Sequence, residues 1–232
     1  MTDDRLCYMF ITPFCDFRFR KEHTAMLDFI TINTHSSIRI DAGKIIYSDP
    51  FKIENEPHDA DIILITHGHF DHFSPDDIRK VMKQDTVIVC TKDNTEAGKL
   101  GIEVRNISAN EKFDVKGISF ETVPAYNKLK PFHPKSKGWV GYIINSQEHG
   151  RIYIAGDTDI TSENQQVKCD IALLPAGGTY TMNAKKAAKL ANTIRPEYAV
   201  PIHYGSVAGD LGDGEIFCSA LDSGIKAVIK IK

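Results

Sequence analysis

The sequence THGHFDHFS, residues 66–74, places three histidines and one aspartate within six consecutive positions. It follows the run DIILIT (61–66), whose continuous apolar side chains predict a strand buried on both faces. Ser74, Pro75 and the two aspartates after them are typical of a first helical turn, so we expect a helix from about residue 75 to 83. Because α/β folds place their sites at the carboxyl ends of strands, this loop is the candidate functional site.

The chemistry of the loop indicates a metal ion. His67 and His69 stand two residues apart and point to the same side of an extended loop, with Asp71 and His72 directly after them. Gly68 lets the backbone turn tightly around a ligand. Imidazole and carboxylate together suit Zn²⁺, Fe or Mn²⁺. The alternative is a histidine-rich surface loop, but the strand before it and the helix after it favour a metal site.

The rest of the chain predicts a layered α/β domain of two packed sheets with helices outside. Antiparallel strands are expected in 28–51, hairpins in 103–126 with a turn at Lys116-Gly117, and a strand pair in 138–157. Further strands and helices are expected at 86–91, 94–99, 169–175, 183–194, 198–203, 214–222 and 226–231.

Composition excludes several classes of protein. Of the 232 residues, 42% are hydrophobic and 25% charged, which is ordinary for a soluble globular chain. The net charge of −3 gives no indication of nucleic-acid binding. The five scattered cysteines contain no CxxC motif and favour a reducing, cytoplasmic location. No apolar run approaches the roughly 18–20 residues of a membrane span.

The strand pattern indicates how the chain is divided into domains. It starts only at Met26, so we expect residues 1–25 to be an N-terminal arm or an upstream extension, with Met26 as the natural start. No linker-like stretch interrupts the chain after Met26. Residues 26–232 are therefore predicted to form a single domain.

The segment HGHFDH resembles the HxHxDH motif of the metallo-β-lactamase superfamily. The resemblance extends over most of the chain from Met26. It is closest to the metal-dependent hydrolase branch that includes ascorbate-6-phosphate lactonase and N-acylphosphatidylethanolamine phospholipase D. Gly156-Asp157-Thr158 and Pro201-Ile202-His203-Tyr204-Gly205 are similar to two later motifs of this family. The resemblance implies the family's four-layer αββα sandwich.

It also implies a dinuclear metal centre. Carried over, His67 and His69 hold the first metal, and Asp71 and His72 the second. Asp157 becomes the bridging carboxylate and His203 the last ligand of the second metal. The implied cofactors are two divalent ions, zinc first, with manganese or iron as alternatives. His35-Ser36-Ser37 matches a family strand motif, and for His35 we favour hydrogen bonding over ligation.

The sequence departs from the family at the first metal's third ligand. A histidine commonly stands where this chain has Asn127, whose neutral amide oxygen binds zinc weakly. His133, six residues later, is the candidate replacement, the alternative being an exposed loop histidine. Asp49 follows a predicted strand and resembles a family element; it either orients a metal-binding histidine or is a plain turn aspartate.

The resemblance implies a hydrolase in which a hydroxide between two metals attacks an ester, lactone or phosphodiester. Asp71 is the predicted catalytic residue that orients the hydroxide or transfers a proton. Tyr204 is a candidate for stabilising an oxyanion, with packing as its alternative role. The second interpretation of the whole chain is a non-catalytic metal-binding scaffold or sensor that keeps the fold.

The expected partner is a small-molecule substrate. The lysines around His133 would suit a phosphorylated one, although a solvated lysine-rich loop explains them slightly better; they are Lys128, Lys130, Lys135 and Lys137. These lysines are too few to indicate a nuclease, so no nucleic acid is expected. The oligomeric state is left open.

Overall fold

The first sheet carries the metal-site loop. In a computed structural model, which describes residues 27–231, six strands follow one another in chain order. They are β1 (Ile30–Thr34), β2 (Ser37–Asp41), β3 (Ile45–Ser48), β4 (Ala60–Leu64), β5 (Met82–Thr91) and β6 (Glu103–Ile107). The first three strands pair antiparallel, and pairing is parallel from β3 to β6.

The second sheet contains seven strands. The first four in the chain pair antiparallel with one another, and pairing is parallel from the fourth strand to the seventh. They are β7 (Lys112–Val115), β8 (Ile118–Pro124), β9 (Val140–Ser146), β10 (Gly150–Ile154), β11 (Ile171–Pro175), β12 (Tyr198–Ile202) and β13 (Lys226–Ala227). Within residues 27–231, three α-helices accompany the sheets, namely α1 (Pro75–Val81), α2 (Ala184–Ile194) and α3 (Asp213–Ser219). Short 3₁₀ turns lie at Thr95–Leu100, Lys135–Lys137 and Asn164–Gln166.

The two sheets pack face to face and helices cover their outer faces. In β4, Ile62 and Leu64 enter the core between the sheets, whereas Ile63 packs beneath α1 against Ile78. This two-sided burial explains the unbroken apolar run before the histidine loop. Helices α2 and α3 cover the second sheet with alanine-rich and aromatic contacts. The layers therefore run helix, sheet, sheet, helix, and the predicted αββα sandwich is confirmed.

Two strands differ from the prediction. β6 does not form a hairpin with β7 but lies parallel to β5 at the edge of the first sheet. The chain then crosses to the second sheet through a turn in which Glu111 accepts a hydrogen bond from the amide of Ser108 at 2.9 Å. β13 is shorter than predicted, since it pairs with β12 only at Tyr198 and Ala199.

The predictions for the N-terminus concern residues that the structure does not describe. Residues 1–25 and the proposed start at Met26 lie outside the described residues, and the single domain over 26–232 stays a prediction. Within the described part of the chain, no helix has the length and apolarity needed to cross a membrane.

Candidate metal centre

Asp49 fixes the start and end of the histidine loop. It follows β3, and its buried carboxylate accepts hydrogen bonds from the amide of Thr66 at 2.8 Å and the hydroxyl of Thr66 at 2.7 Å. The same carboxylate lies 2.7 Å from Nδ1 of His72. An Nδ1–H held by a carboxylate leaves Nε2 with its lone pair directed away, which is the usual arrangement behind a metal-binding histidine. The structure thus favours the orienting role for Asp49 over a plain turn.

Replacing Asp49 with alanine is expected to weaken metal binding about 10–100-fold, because His72 loses the group that fixes its tautomer and orientation. The measurement is competitive titration with a chromophoric chelator. Asp76→Ala is the matched control, since Asp76 is an exposed aspartate whose side chain contacts Arg79 of the same helix. Equal affinities of the Asp49 variant and the wild type would remove Asp49 from the site.

The first group of candidate ligands consists of His67, His69 and His133. Nε2 of His67 lies 3.0 Å from Nδ1 of His69, and Nε2 of His133 lies 3.2 Å from that same Nδ1. The buried ring of Trp139 packs against all three imidazoles, its centroid lying 4.7 Å from that of His67. Its indole N–H donates to Asp93 at 2.6 Å, so one wall of this group is held rigidly.

Asn127 holds His133 in place. Its side-chain amide donates to the carbonyl oxygens of Phe132 at 2.9 Å and Tyr180 at 2.7 Å, and its backbone N–H donates to the carbonyl oxygen of His133 at 2.8 Å. The loop after β8 is thereby closed, and His133 points inward with 2% of its surface exposed. The structure brings His133 to the place predicted for it, with Asn127 as its support.

The second group combines Asp71 and His72 with His203, which directly follows β12. Oδ2 of Asp71 lies 3.6 Å from Nε2 of His72 and 3.8 Å from Nε2 of His203. His35, in the turn between β1 and β2, joins this group, and one ligand atom from each of the four lies within 4.8 Å of the others.

Asp157 lies between the two groups. Its Oδ2 is 3.1 Å from Nε2 of both His133 and His203 and 3.9 Å from Nε2 of His67, while Oδ1 is 3.4 Å from Nε2 of His72. The backbone before Asp157 passes through Gly156, which adopts φ +63°. Glycine is required there, because a side chain would press on Thr66 and the carbonyl of Val140. The carboxylate thus contacts both halves of the site, as a bridging ligand would.

Several site residues adopt backbone conformations that non-glycine residues rarely use. His35, Asp49, His133 and His203 have φ values between +48° and +59°. Such conformations cost about 1–3 kcal/mol each and concentrate at functional sites, where the surrounding structure enforces them.

The protonation states suit cation binding. Burial lowers the pKa of His67 well below its usual value, lowers that of His69, and lowers that of His35 to about 4, so these imidazoles are neutral near pH 7. Burial would raise the pKa of Asp157, but His203 and His72 outweigh it and hold the carboxyl ionised. His72 is the exception: burial would lower its pKa, but Asp157 and Asp49 outweigh burial and raise it well above its usual value, so a cation would have to displace a proton from this ring.

The buried atoms at the centre also fit a metal ion. Nε2 of His72, Nε2 of His203 and Oδ1 of Asp157 are buried and have no hydrogen-bond partner among the described residues. Buried polar atoms without partners are costly, and a divalent cation would satisfy all three at once. Imidazole nitrogen and carboxylate oxygen are the donor set of zinc, iron and manganese sites.

The side chain of Tyr204 points away from the candidate metal centre, although His203 directly before it is part of that centre. Its side chain belongs to the core cluster beneath α2 and α3, and its hydroxyl lies against Gly214. Burial raises its pKa to about 12. A catalytic role for Tyr204 therefore stays a prediction that its position does not support, and packing accounts for the residue.

The chain is similar in sequence and in fold to proteins that are named metal-dependent hydrolases. The β-lactamase superfamily domain matches residues 29–203. UPF0173 metal-dependent hydrolases from Methanopyrus kandleri and Thermus thermophilus are each 31% identical to this chain, over 196 and 205 residues. These matches cover 76% and 83% of this chain and 84% and 91% of the relatives. A solved structure from Parabacteroides distasonis, provisionally named a metal-dependent hydrolase, has a TM-score of 0.73 and 33% identity, covering 88% of this chain and 93% of that one.

Proposed function

This chain belongs to the metallo-β-lactamase superfamily, and from that premise we propose that it is a metal-dependent hydrolase with a dinuclear centre. The observation that carries the proposal is the position of Asp157 between two groups of inward-facing ligands. We assign His67, His69 and His133 to the first cation and Asp71, His72 and His203 to the second, with Asp157 shared. The resemblance to the lactonase and phospholipase branch stays a prediction.

Bound divalent cations would supply Lewis acidity that polarises the electrophile and acidifies water. The chain's own residues set the charge around that chemistry. Asp71 and Asp157 contribute two negative charges against four positive ones, and the surplus favours an anionic transition state. Burial would raise the pKa of Asp71, but His35 and His72 lower it, so the carboxylate is ready to orient water or accept its proton.

Exposed apolar side chains occur in the segments that carry the candidate ligands. Phe70, 67% exposed, stands between His69 and Asp71, and Leu129, 96% exposed, lies in the loop that carries His133. Phe132 precedes His133 and is also exposed, while the exposed Leu211 packs against Gly205, two residues after His203. Large apolar residues grouped around a polar centre suit a substrate with an apolar body.

The lysines near His133 give weaker support to a phosphorylated substrate. Lys130 donates to the carbonyl oxygens of Gly178 and Thr181, and Lys135 forms an ion pair with Glu163 at 2.7 Å. Nζ of Lys137 lies 5.8 Å from the ring centroid of Trp139. Three of the four lysines are therefore engaged within the protein. We accordingly place a carboxylic ester or lactone ahead of a phosphodiester.

A substrate panel tests this proposal. Metal-loaded protein is assayed on p-nitrophenyl acetate, butyrate and octanoate, on short and long lactones, and on bis(p-nitrophenyl) phosphate. We expect kcat/KM to rise by at least about tenfold from acetate to octanoate, because tenfold corresponds to about 1.4 kcal/mol, which roughly two of the added methylenes supply at about 0.8 kcal/mol each when fully desolvated. In Phe132→Ser this rise is expected to shrink, whereas the exposed Ile216→Ser, on helix α3, serves as control. A preference for the phosphodiester would contradict the substrate assignment. Metal-loaded protein inactive on every substrate would favour the scaffold alternative.

A further inference from the structure

His35 is the buried imidazole at the centre that the assigned ligand set does not use. It lies in the β1–β2 turn with no exposed surface and a φ of +53°. Its carbonyl oxygen accepts a hydrogen bond from the amide of His203 at 2.9 Å, so the backbone of the turn is attached to the strand end that carries His203.

The ring of His35 faces the second group of ligands. Its Nε2 lies 3.2 Å from Oδ2 of Asp71, and its ring centroid lies 3.7 Å from that of His203. Despite this proximity, neither ring nitrogen is aligned for a hydrogen bond with any residue in 27–231. A buried imidazole that has a poorly aligned carboxylate contact and no well-formed hydrogen bond is costly unless another group binds one of its nitrogens.

We propose that Nε2 of His35 is an additional ligand of the second cation, beside Asp71, His72, His203 and Asp157. The proposal rests on the metal centre described above. It makes the two positions unequal, because four side chains then serve the first cation and five the second. Catalytic zinc sites keep a position open for water or substrate. With four side chains, the first cation would take the substrate as a fifth ligand, an expansion that catalytic zinc undergoes, whereas a second cation with five side chains has less room. The substrate would accordingly bind at the first cation, next to Trp139 and the loop of Leu129, and the second position would suit a metal of higher coordination number.

The variant that tests His35 is His35→Asn. Asparagine tolerates positive φ, and its side chain is too short to reach the place of Nε2. His58→Asn is a matched control, because His58 also has a positive φ of +45° but lies in a loop away from the centre, with its side chain 52% exposed. Circular dichroism and thermal unfolding of the metal-free proteins check that both variants fold.

The readout is proton NMR of protein loaded with Co²⁺, in which each metal-bound imidazole gives a strongly shifted exchangeable N–H signal. We expect six such signals in the wild type, from His35, His67, His69, His72, His133 and His203, and five in His35→Asn. The affinity for the second equivalent of Co²⁺ should fall about 10–100-fold in the same variant.

Two results would overturn the inference in different ways. Five signals in the wild type that all persist in His35→Asn would show that His35 is not a ligand, leaving the metal centre itself intact. A wild-type protein that binds no Co²⁺ would overturn the proposed centre, and the role of His35 with it.

Discussion

Replacing Asp157 with alanine is expected to reduce bound metal from two ions per chain to less than one and to lower kcat/KM by at least about 10³-fold. The reason is that Asp157 contacts ligands of both groups, with 3.1 Å to His133 on one side and to His203 on the other. Its loss removes the negative charge between the two proposed cation positions and leaves Asp71 as the one carboxylate among the assigned ligands. Metal content by mass spectrometry and initial rates on the preferred ester measure the two effects.

Two further variants, one conservative and one at the surface, are measured beside Asp157→Ala. Asp157→Asn keeps the shape of the side chain but removes its charge, and an amide is a weak ligand, so it should resemble alanine more than the wild type. Asp114→Ala, at an exposed position of β7, should leave metal content and rate unchanged. Two ions retained in Asp157→Ala would contradict a bridging role.

His133→Ala is expected to lower bound metal from two ions per chain to one and to reduce kcat/KM by about 10³-fold. Its imidazole completes the first group with His67 and His69, whereas His72, whose ring centroid lies 4.0 Å from that of His67, is assigned to the second cation. The second group does not depend on His133, so one ion should remain. The checks are metal analysis after dialysis and steady-state kinetics.

The variant Asn127→Ala distinguishes the loss of a metal ligand from the loss of the hydrogen bonds that position that ligand. It keeps the imidazole of His133 but removes the hydrogen bonds to Phe132 and Tyr180, so we expect a loss of metal affinity of about 10–100-fold rather than of one whole ion. His58→Ala controls for the loss of a histidine as such. If His133→Ala bound two ions with wild-type affinity, the first group would need a different third ligand.

The fold was predictable because its signals are local. The two-sided burial of β4 makes 61–66 continuously apolar, and Ser74, Pro75 and the following aspartates mark the start of α1. The assignment of β6 failed because hairpin and edge pairing leave the same alternating pattern in a short strand. Which sheet a strand joins depends on the crossover after it, and the sequence pattern does not record that crossover.

The positions of the candidate site residues could be predicted where these residues are adjacent in sequence or occur in a recognisable family motif. His67, His69, Asp71 and His72 share one loop, and Asp157 and His203 lie just beyond strands whose carboxyl ends converge on it. His133 was harder to predict, because its approach depends on hydrogen bonds from Asn127 to carbonyl groups up to 53 residues away. Those contacts are tertiary, and residue type alone does not encode them.

The remaining differences concern the direction in which side chains point. Tyr204 follows a candidate ligand but turns into the core, and Lys130 turns back onto the 178–181 loop. His35, interpreted from the sequence as a hydrogen-bonding strand residue, lies in a turn with its ring among the ligands. Side-chain direction at turns with positive φ is set by packing around them, which a linear pattern does not show.

Anomalous diffraction from crystals grown with Zn²⁺, recorded on both sides of the zinc absorption edge, would locate the metal ions themselves. We predict two anomalous peaks on either side of the Asp157 carboxylate, one among His67, His69 and His133 and the other among Asp71, His72 and His203. A single peak, or two peaks of which neither contacts Asp157, would contradict the dinuclear centre.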